Sequence, residues 1–293
     1  MNIFNAIQEL TFGTELEYTG ITRERAAAAM QSVLGGAVNY RGGAYSAWVV
    51  KDTQGREWKA ISDASLGDNG GCEIVTPILK YSDMETLQEV VRALRRAGAK
   101  TPSCTSQHVH VGVEHLSAQQ IANIAKIFYK QEELIIKSVG TLPNRLERYT
   151  RKTDPEFIEK IQTKQNSKDQ LNRAWFGVYT PNPQHYDWHR YRDLNLNNVW
   201  RTGTIEFRLF NGTTHAGEVK SHIQLCLAIV AKGAAARAAS AKNKREYCET
   251  SAKYDMRVFL LSLGLIGDEF SSARLHLLKR LPGDSAFKNG RSA

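Results

Sequence analysis

The sequence predicts an α+β protein built on a largely antiparallel sheet with helices packed beside it. Three observations lead to this prediction. Several short segments alternate apolar and polar residues with the period of two that is typical of strands. Two of them flank the turn-rich stretch DTQGRE at 52–57, as in a β-hairpin. Longer segments with helix signals lie between strands, without the regular alternation of strand and helix that a parallel sheet needs.

Composition is that of an ordinary globular protein. The chain has 293 residues, of which 42% are hydrophobic and 24% are charged, so it can bury a sizeable core. Its four cysteines are far apart and form no C-x-x-C pair, which favours reduced thiols. We expect a single domain over residues 1–293, with a motif-bearing core at about 11–240 and a helical C-terminal extension at about 241–293.

Neither a targeting segment nor a membrane span is predicted. The first residues, MNIFNAIQEL, lack a basic stretch followed by an apolar one, and the longest aliphatic run, 225–231, ends at Lys232. We therefore expect a soluble cytoplasmic protein. The net charge of +9 indicates either an anionic partner or only a solvated basic surface, and it selects no function alone.

Residues 11–75 alternate between strands and a helix. The segment TFGTELEY at 11–18 predicts a strand with both of its carboxylates on one face. An alanine-rich helix is predicted at 22–34, before two glycines that end it. A hairpin with strands at 48–51 and 58–61 follows. The loop SDASLGDNGG then leads into the strand CEIV, and its glycines and aspartates suit backbone that approaches a ligand.

Capping boxes predict the next two helices. The S-x-x-E pattern at 82–85 begins one that reaches about residue 98, and S-x-x-Q at 117–120 begins one that reaches about 139. Residues 141–193 are less regular, with one predicted helix at about 155–164. The remaining predicted elements are strands in LNLNNVW and TIEFRLF, a long helix at about 218–240, and short helices in YDMRVFLLSLG and SARLHLLKR.

Ionisable side chains share one face of four separate strands. Residues two apart on a strand point to the same side, and the opposite sides of these strands are apolar. The residues are Glu15 and Glu17, Glu73, His108 and His110, and Glu206 and Arg208. For any one pair a solvent-exposed strand face is the simpler interpretation, whereas four such strands together favour a common site.

If these faces converge, their carboxylates repel one another unless a cation neutralises them. A set of ligands dominated by oxygen favours Mg²⁺ or Mn²⁺ over zinc, and Mg²⁺ commonly also binds nucleotide phosphates. Arg208 would then be a guanidinium beside a phosphoryl group. A simple salt bridge to Glu206 explains Arg208 equally well at this stage.

Four ordered motifs resemble the amidoligase family, whose relatives include glutamine synthetase and glutamate-cysteine ligase. They are FGTELEY, DASL leading to GCEIVTPIL, HVHVG, and LNLNNVW followed by TIEFRLFNGT, spread over about residues 11–230. The resemblance implies a glutamine-synthetase-like catalytic domain with a curved, mainly antiparallel sheet. It also implies an ATP-dependent carboxylate-amine ligase that forms an amide through an acyl phosphate.

Roles for individual residues follow from the resemblance. Glu15 and Glu17 would hold metal ions, and Glu73, the histidine strand and Glu206 would complete the metal shell. His110 is the preferred ligand of that strand, although both histidines point the same way and the sequence does not decide between them. Arg208 would contact phosphates, and Asp63 is a candidate catalytic base with a turn-forming role as its alternative. Candidate nucleotide contacts are Arg190, Arg192, Asn195 and Arg208, with a position on a solvated loop as the equal alternative for at least one of the first two. The expected cofactors are ATP and Mg²⁺, with Mn²⁺ as an alternative.

Two other functional classes stay open. The HVH strand and a glutamate would suit a zinc-dependent hydrolase, although the surplus of carboxylates and the lack of H-E-x-x-H count against it. The charge and the stretch HYDWHRYR suit a nucleic-acid-binding module, which no known motif supports. The expected partners are a carboxylate and an amine of unknown identity, with nucleic acid not required, no membrane, and association into a homo-oligomer as in related enzymes.

Overall fold

A nine-stranded antiparallel sheet organises the protein in a computed structural model that describes residues 3–66, 71–244 and 246–288. The strands are β1 (Thr11–Tyr18), β2 (Val38–Gly42), β3 (Ala47–Lys51), β4 (Glu57–Ile61), β5 (Cys72–Val75), β6 (Leu79–Lys80), β7 (Ser106–Gly112), β8 (Leu194–Asn195) and β9 (Thr204–Asn211). Their order is β2-β3-β4-β5-β1-β7-β9-β8, with β6 paired to β1. The prediction of an α+β fold with an antiparallel sheet is confirmed.

Ten α-helices surround this sheet in the described part of the chain. They are α1 (Ile3–Glu9), α2 (Arg23–Leu34), α3 (Met84–Arg96), α4 (Ala118–Val139), α5 (Pro143–Arg148), α6 (Pro155–Lys160), α7 (Lys168–Phe176), α8 (Ala216–Ala235), α9 (Ala252–Ser262) and α10 (Ser271–Leu278). Helix α2 contacts β3 and β4, α8 contacts β7, and α3 contacts both α2 and α8. Across the described residues, no helix is both long and apolar enough to cross a bilayer.

The core lies between the sheet and this helical layer. Leu16, Val109 and Phe207 come from three neighbouring strands and are each at most 1% exposed. Phe128 of α4 packs edge-on against Phe207, with ring centroids 5.8 Å apart. Since strand side chains alternate, burying this face leaves the other face of the same strands free to form a site.

The ends of α3 and α4 test the predictions made from local capping patterns. The predicted box at the start of α4 is present, with the Ser117 hydroxyl accepting from the backbone N–H of Gln120. Gly140 ends that helix in the left-handed conformation, at φ 69°, which glycine adopts without steric cost. The predicted box at 82–85 is wrong, because a short 3-10 turn at Tyr81–Asp83 precedes α3 and makes Asp83 its first flanking residue.

Other differences concern segments whose structure depends on distant contacts. The predicted strand over 194–200 continues for only two residues, Leu194–Asn195, before a 3-10 turn at Asn197–Val199. The region 141–193 contains α5 and α7 besides the predicted helix, which is shorter than expected. Four residues of the loop predicted to approach a ligand, 67–70, lie outside the described residues.

Candidate functional site

The face of the sheet opposite the apolar core carries a row of polar side chains. Strand β1 lies between β5 and β7, so that Glu17 is the partner of Glu73 and Glu15 is the partner of His108. On the far side of β7, His110 is the partner of Glu206 of β9. The sheet therefore brings together the ionisable groups that the sequence places on four separate strands.

A first cluster consists of Glu15, His110 and Glu206, whose ligand atoms lie within 4.8 Å of one another. His110 Nε2 is 3.4 Å from Glu15 Oε1 and 4.0 Å from Glu206 Oε1. This nitrogen is buried and has no hydrogen-bond partner among the described residues. Two carboxylates and an unsatisfied imidazole nitrogen form a donor set that suits a divalent cation.

In the part of the chain that the structure describes, both ring nitrogens of His108 have a hydrogen-bond partner, unlike those of His110. Its Nδ1 lies 3.0 Å from Glu15 Oε2, and its Nε2 lies 3.1 Å from the Ser106 hydroxyl. Since both ring nitrogens have partners, the geometry favours His110 as the free donor and gives His108 the role of orienting Glu15.

A second cluster consists of Glu17, Asp63 and Glu73, again with ligand atoms within 4.8 Å of one another. Glu17 Oε2 accepts a 2.7 Å hydrogen bond from the backbone N–H of Ser106, at the start of β7. Asp63 thus stands among the carboxylates rather than apart from them.

Crowding and burial shift the pKa values of these groups. Burial, together with the charges of Glu15, Asp63 and Glu17, raises the pKa of Glu73 to about 10. Burial also opposes ionisation of Glu206, but attraction to Arg208 and to both histidines outweighs it and lowers the pKa of Glu206 to about 2. Arg208 and the histidines favour the ionised form of Glu206 in the first cluster, whereas the acids of the second cluster repel one another, and a cation would relieve that repulsion.

Three side chains hold Glu206. Arg208 forms a buried ion pair with its Oε1. Asn195 and Asn198 donate to its Oε2 from 2.7 and 3.0 Å. Asn195 is 1% exposed and is not part of the cavity wall. The structure therefore places this predicted nucleotide contact where it supports the cluster.

The site opens into a cavity of about 1230 Å³. Both clusters contribute to its wall through Glu15, Glu17, Asp63 and Glu73. The cationic residues that line it are Arg23, Arg41, Lys59, Arg145, Arg148, Arg190 and Arg208. This lining contains acidic groups suited to cations and basic groups suited to phosphates or carboxylates.

Arg190 and Arg192, the two arginines predicted to contact a nucleotide, lie in different environments. Arg190 lines the cavity, with its guanidinium carbon 5.6 Å from the centroid of the Tyr186 ring. Arg192 instead donates to Asp154 Oδ2 over 2.9 Å and to the carbonyl of Lys152 over 2.8 Å. Only Arg190 is positioned to meet a ligand in the cavity.

Arg145, Arg148 and Ser106 belong to the site and were not predicted. Arg145 and Arg148 are on α5, inside a region whose sequence shows little periodicity. Their spacing of three residues after Pro143, which begins that helix, is the one local signal that places both on neighbouring turns. Burial lowers the pKa of Arg145 to about 10, which Glu17 partly counteracts by its charge.

Asp193 connects this site to α4. It is fully buried, its carbonyl accepts from the backbone N–H of Arg208 over 2.9 Å, and its Oδ1 accepts from the Thr153 hydroxyl over 2.9 Å. Burial and repulsion from Glu132 hold the pKa of Asp193 well above its usual range.

We expect Asp193→Asn to gain stability relative to the wild type as pH rises. An acid whose pKa is higher in the folded state stabilises that state only at low pH, and the contribution is lost as pH rises above the unfolded pKa. Asparagine removes this loss and offers an N–H to Glu132. Urea unfolding of both proteins at pH 5 and pH 8 gives the free energy of unfolding of each. The prediction is contradicted if the difference between variant and wild type stays the same, or changes in favour of the wild type, from pH 5 to pH 8.

Comparisons with known proteins identify a family. A family model described as "Putative amidoligase enzyme" matches residues 8–230. Among solved structures, a bifunctional glutathione synthetase from Pasteurella multocida is similar at a TM-score of 0.49 and 13% identity, over 96% of this chain and 49% of that one. The chain thus spans about half the length of that enzyme. No curated protein matches the sequence.

Proposed function

Because this chain belongs to the amidoligase family, we propose that it is an ATP-dependent carboxylate-amine ligase with a glutamine-synthetase-like catalytic sheet. The observation that carries the proposal is the pair of clusters, one of Glu15, His110 and Glu206 and one of Glu17, Asp63 and Glu73, on one face of one sheet. Enzymes that transfer a phosphoryl group rely mainly on positioning and on positive charge, and this cavity offers both.

Divalent cations fit the residues of the site. Glu15, His110 and Glu206 would hold one, and Glu17 and Glu73 would hold another, with Mg²⁺ as the expected ion and Mn²⁺ as an alternative because an imidazole is present. Such cations would offset the negative charge of a phosphoryl group in transfer. The unsatisfied Nε2 of His110 and the raised pKa of Glu73 both support this assignment.

The proposed reaction has two steps. A carboxylate oxygen of the acid substrate attacks the γ-phosphorus of ATP, the bond from that phosphorus to the bridging oxygen breaks, and ADP leaves with an acyl phosphate remaining. The amine nitrogen then attacks the acyl carbon, inorganic phosphate departs, and the nitrogen loses a proton to give the amide.

The protein's own residues have distinct roles in this scheme. Arg208 presents a guanidinium that Glu206 holds in place, beside the phosphoryl oxygens. Arg190, at the cavity wall, would contact the nucleotide. Asp63, next to Glu73, is our candidate for accepting the proton of the amine. A site enclosed from water would protect the acyl phosphate from hydrolysis.

An ADP-release assay tests this function. Purified protein would be given Mg²⁺ and ATP with pooled carboxylates and amines, and mass spectrometry would identify a condensed product. We expect ADP release that requires both a carboxylate and an amine. Tightly bound zinc together with hydrolysis that ignores ATP would instead establish the hydrolase alternative.

Asn195→Ala is expected to weaken binding of Mn²⁺ by about 10- to 100-fold, which is the usual cost of losing a residue that orients a metal ligand. Asn195 donates over 2.7 Å to Glu206 and is not part of the cavity wall. Titration with Mn²⁺, followed by electron paramagnetic resonance, measures the affinity. Asn172→Ala, at a buried asparagine of α7 that bonds to the backbone of Thr180 outside the site, is the matched control, and equal affinity in both variants would contradict the role.

A further inference from the structure

One end of the cavity is built around a buried guanidinium that the protein leaves partly unsatisfied. Arg145 is 4% exposed and lines the cavity. One of its terminal nitrogens donates to the carbonyl of Arg208 over 3.0 Å. Its Nε is buried and has no hydrogen-bond partner within the described chain. A buried cationic group in this state is unfavourable unless an anion completes its hydrogen bonds.

A second guanidinium lies close by. Arg148 follows Arg145 by three residues on α5, so the two side chains lie on neighbouring turns, and Arg148 lines the same cavity from an exposed position. Among the residues that the structure describes, no carboxylate forms an ion pair with either arginine. Asn144 adds a neutral polar group to this wall.

Two other cations of the cavity have different settings. Arg208 is paired with Glu206, and Arg190 packs on Tyr186 and Tyr191. Arg145 and Arg148 line the cavity together with Glu17 and Ser106, and their guanidiniums offer donors to an anion there. Arginine binds carboxylates through two parallel hydrogen bonds, so two guanidiniums without a carboxylate partner suit a carboxylate that does not react.

We infer that Arg145 and Arg148 bind a second carboxylate of the acid substrate, which makes the substrate class a dicarboxylic acid. One carboxylate faces Arg208 and the two clusters, where it is activated, and the other is held by α5. This inference rests on the proposed ligase function and adds the class of acid to it.

A matched series of acids tests the inference. Succinate, glutarate and adipate would each be compared with the monocarboxylate of the same length, by calorimetric titration of the full chain with Mg²⁺ present. We expect at least one dicarboxylate to bind about tenfold or more tightly than its monocarboxylate, as is typical for hydrogen bonds to a charged group.

Variants assign that preference to α5. Arg148→Gln, at an exposed position where folding is not at risk, is expected to remove the preference, and Arg145→Met is expected to do the same in protein that circular dichroism shows to be folded. Arg95→Gln, on the exposed end of α3 and outside the cavity, is the control that keeps it.

The outcomes separate this inference from the proposed function. Equal binding of all mono- and dicarboxylates by the wild type would overturn the inference. So would an Arg148→Gln variant that binds a non-hydrolysable ATP analogue more weakly while its acid preference is unchanged, because the site would then hold a phosphate. If the preference depends on Arg148 but ADP is never released with any acid and amine, the anion site stands and the ligase function fails.

Discussion

Glu15→Gln is expected to reduce ADP release by more than about a hundredfold while leaving the fold intact. Loss of a residue that merely orients a metal ligand already costs about 10- to 100-fold, and Glu15 is itself a proposed ligand. Its carboxylate lies 3.0 Å from His108 Nδ1 and 3.4 Å from His110 Nε2. Glutamine keeps the shape of the side chain but loses the charge and one acceptor oxygen. ADP release at saturating Mg²⁺ and ATP measures the effect.

Glu133→Gln is the matched control for this prediction. The Glu133 side chain is 29% exposed, against 28% for Glu15, but it lies on α4, is not part of the cavity wall, and pairs with Lys152. The control should turn over like the wild type. Near-normal ADP release by Glu15→Gln, with both variants folded by circular dichroism, would refute the proposed metal site.

Arg208→Met is expected to destabilise the protein by about 3–5 kcal/mol and to abolish phosphoryl transfer. Removal of one partner of a buried ion pair leaves the other charge uncompensated, which has a cost of this size. The Arg208 and Glu206 side chains are 6% and 2% exposed, so solvent does little to relieve that charge. Urea unfolding gives the free energy of unfolding, and the ADP assay gives the activity.

The double variant Glu206→Gln with Arg208→Met separates the two effects. It has no uncompensated carboxylate, and Asn195 and Asn198 can still donate to the amide oxygen, so we expect much of the lost stability to return. Activity should not return, because both groups proposed for catalysis are absent. A double variant as unstable as the sum of the two single variants would show that the pair does not interact as described.

Predictions from periodicity succeeded where structure is set locally. The alternation in TFGTELEY and in HVHVG predicted β1 and β7 and the face on which their charged residues lie, because a strand's side-chain period follows from its own backbone. The capping box of α4 is likewise a contact between residues three apart. The motifs in these segments also pointed to the family that the match over residues 8–230 shows.

Predictions failed, or were not made, where contacts between residues far apart in sequence determine the structure. Nothing in LNLNNVW shows that the strand ends after Asn195, which happens because the amides of Asn195 and Asn198 turn toward Glu206. In the sequence Asp193 looks like an ordinary polar residue. In the structure it is buried against Glu132, which lies on α4, some sixty residues earlier in the chain. Arg145 shows no pattern of a binding residue until α5 is placed against β9.

The amino-acid sequence by itself determined β1, β5, β7 and β9, the ionisable residues on one face of each, and the family to which the chain belongs. Only the tertiary structure decided that β1 lies between β5 and β7, that the acidic groups divide into two clusters, and that a guanidinium from α5 completes the cavity. The physical reason is that alternation and capping depend on neighbours along the chain, whereas strand order, burial and charge pairing depend on residues that packing brings together.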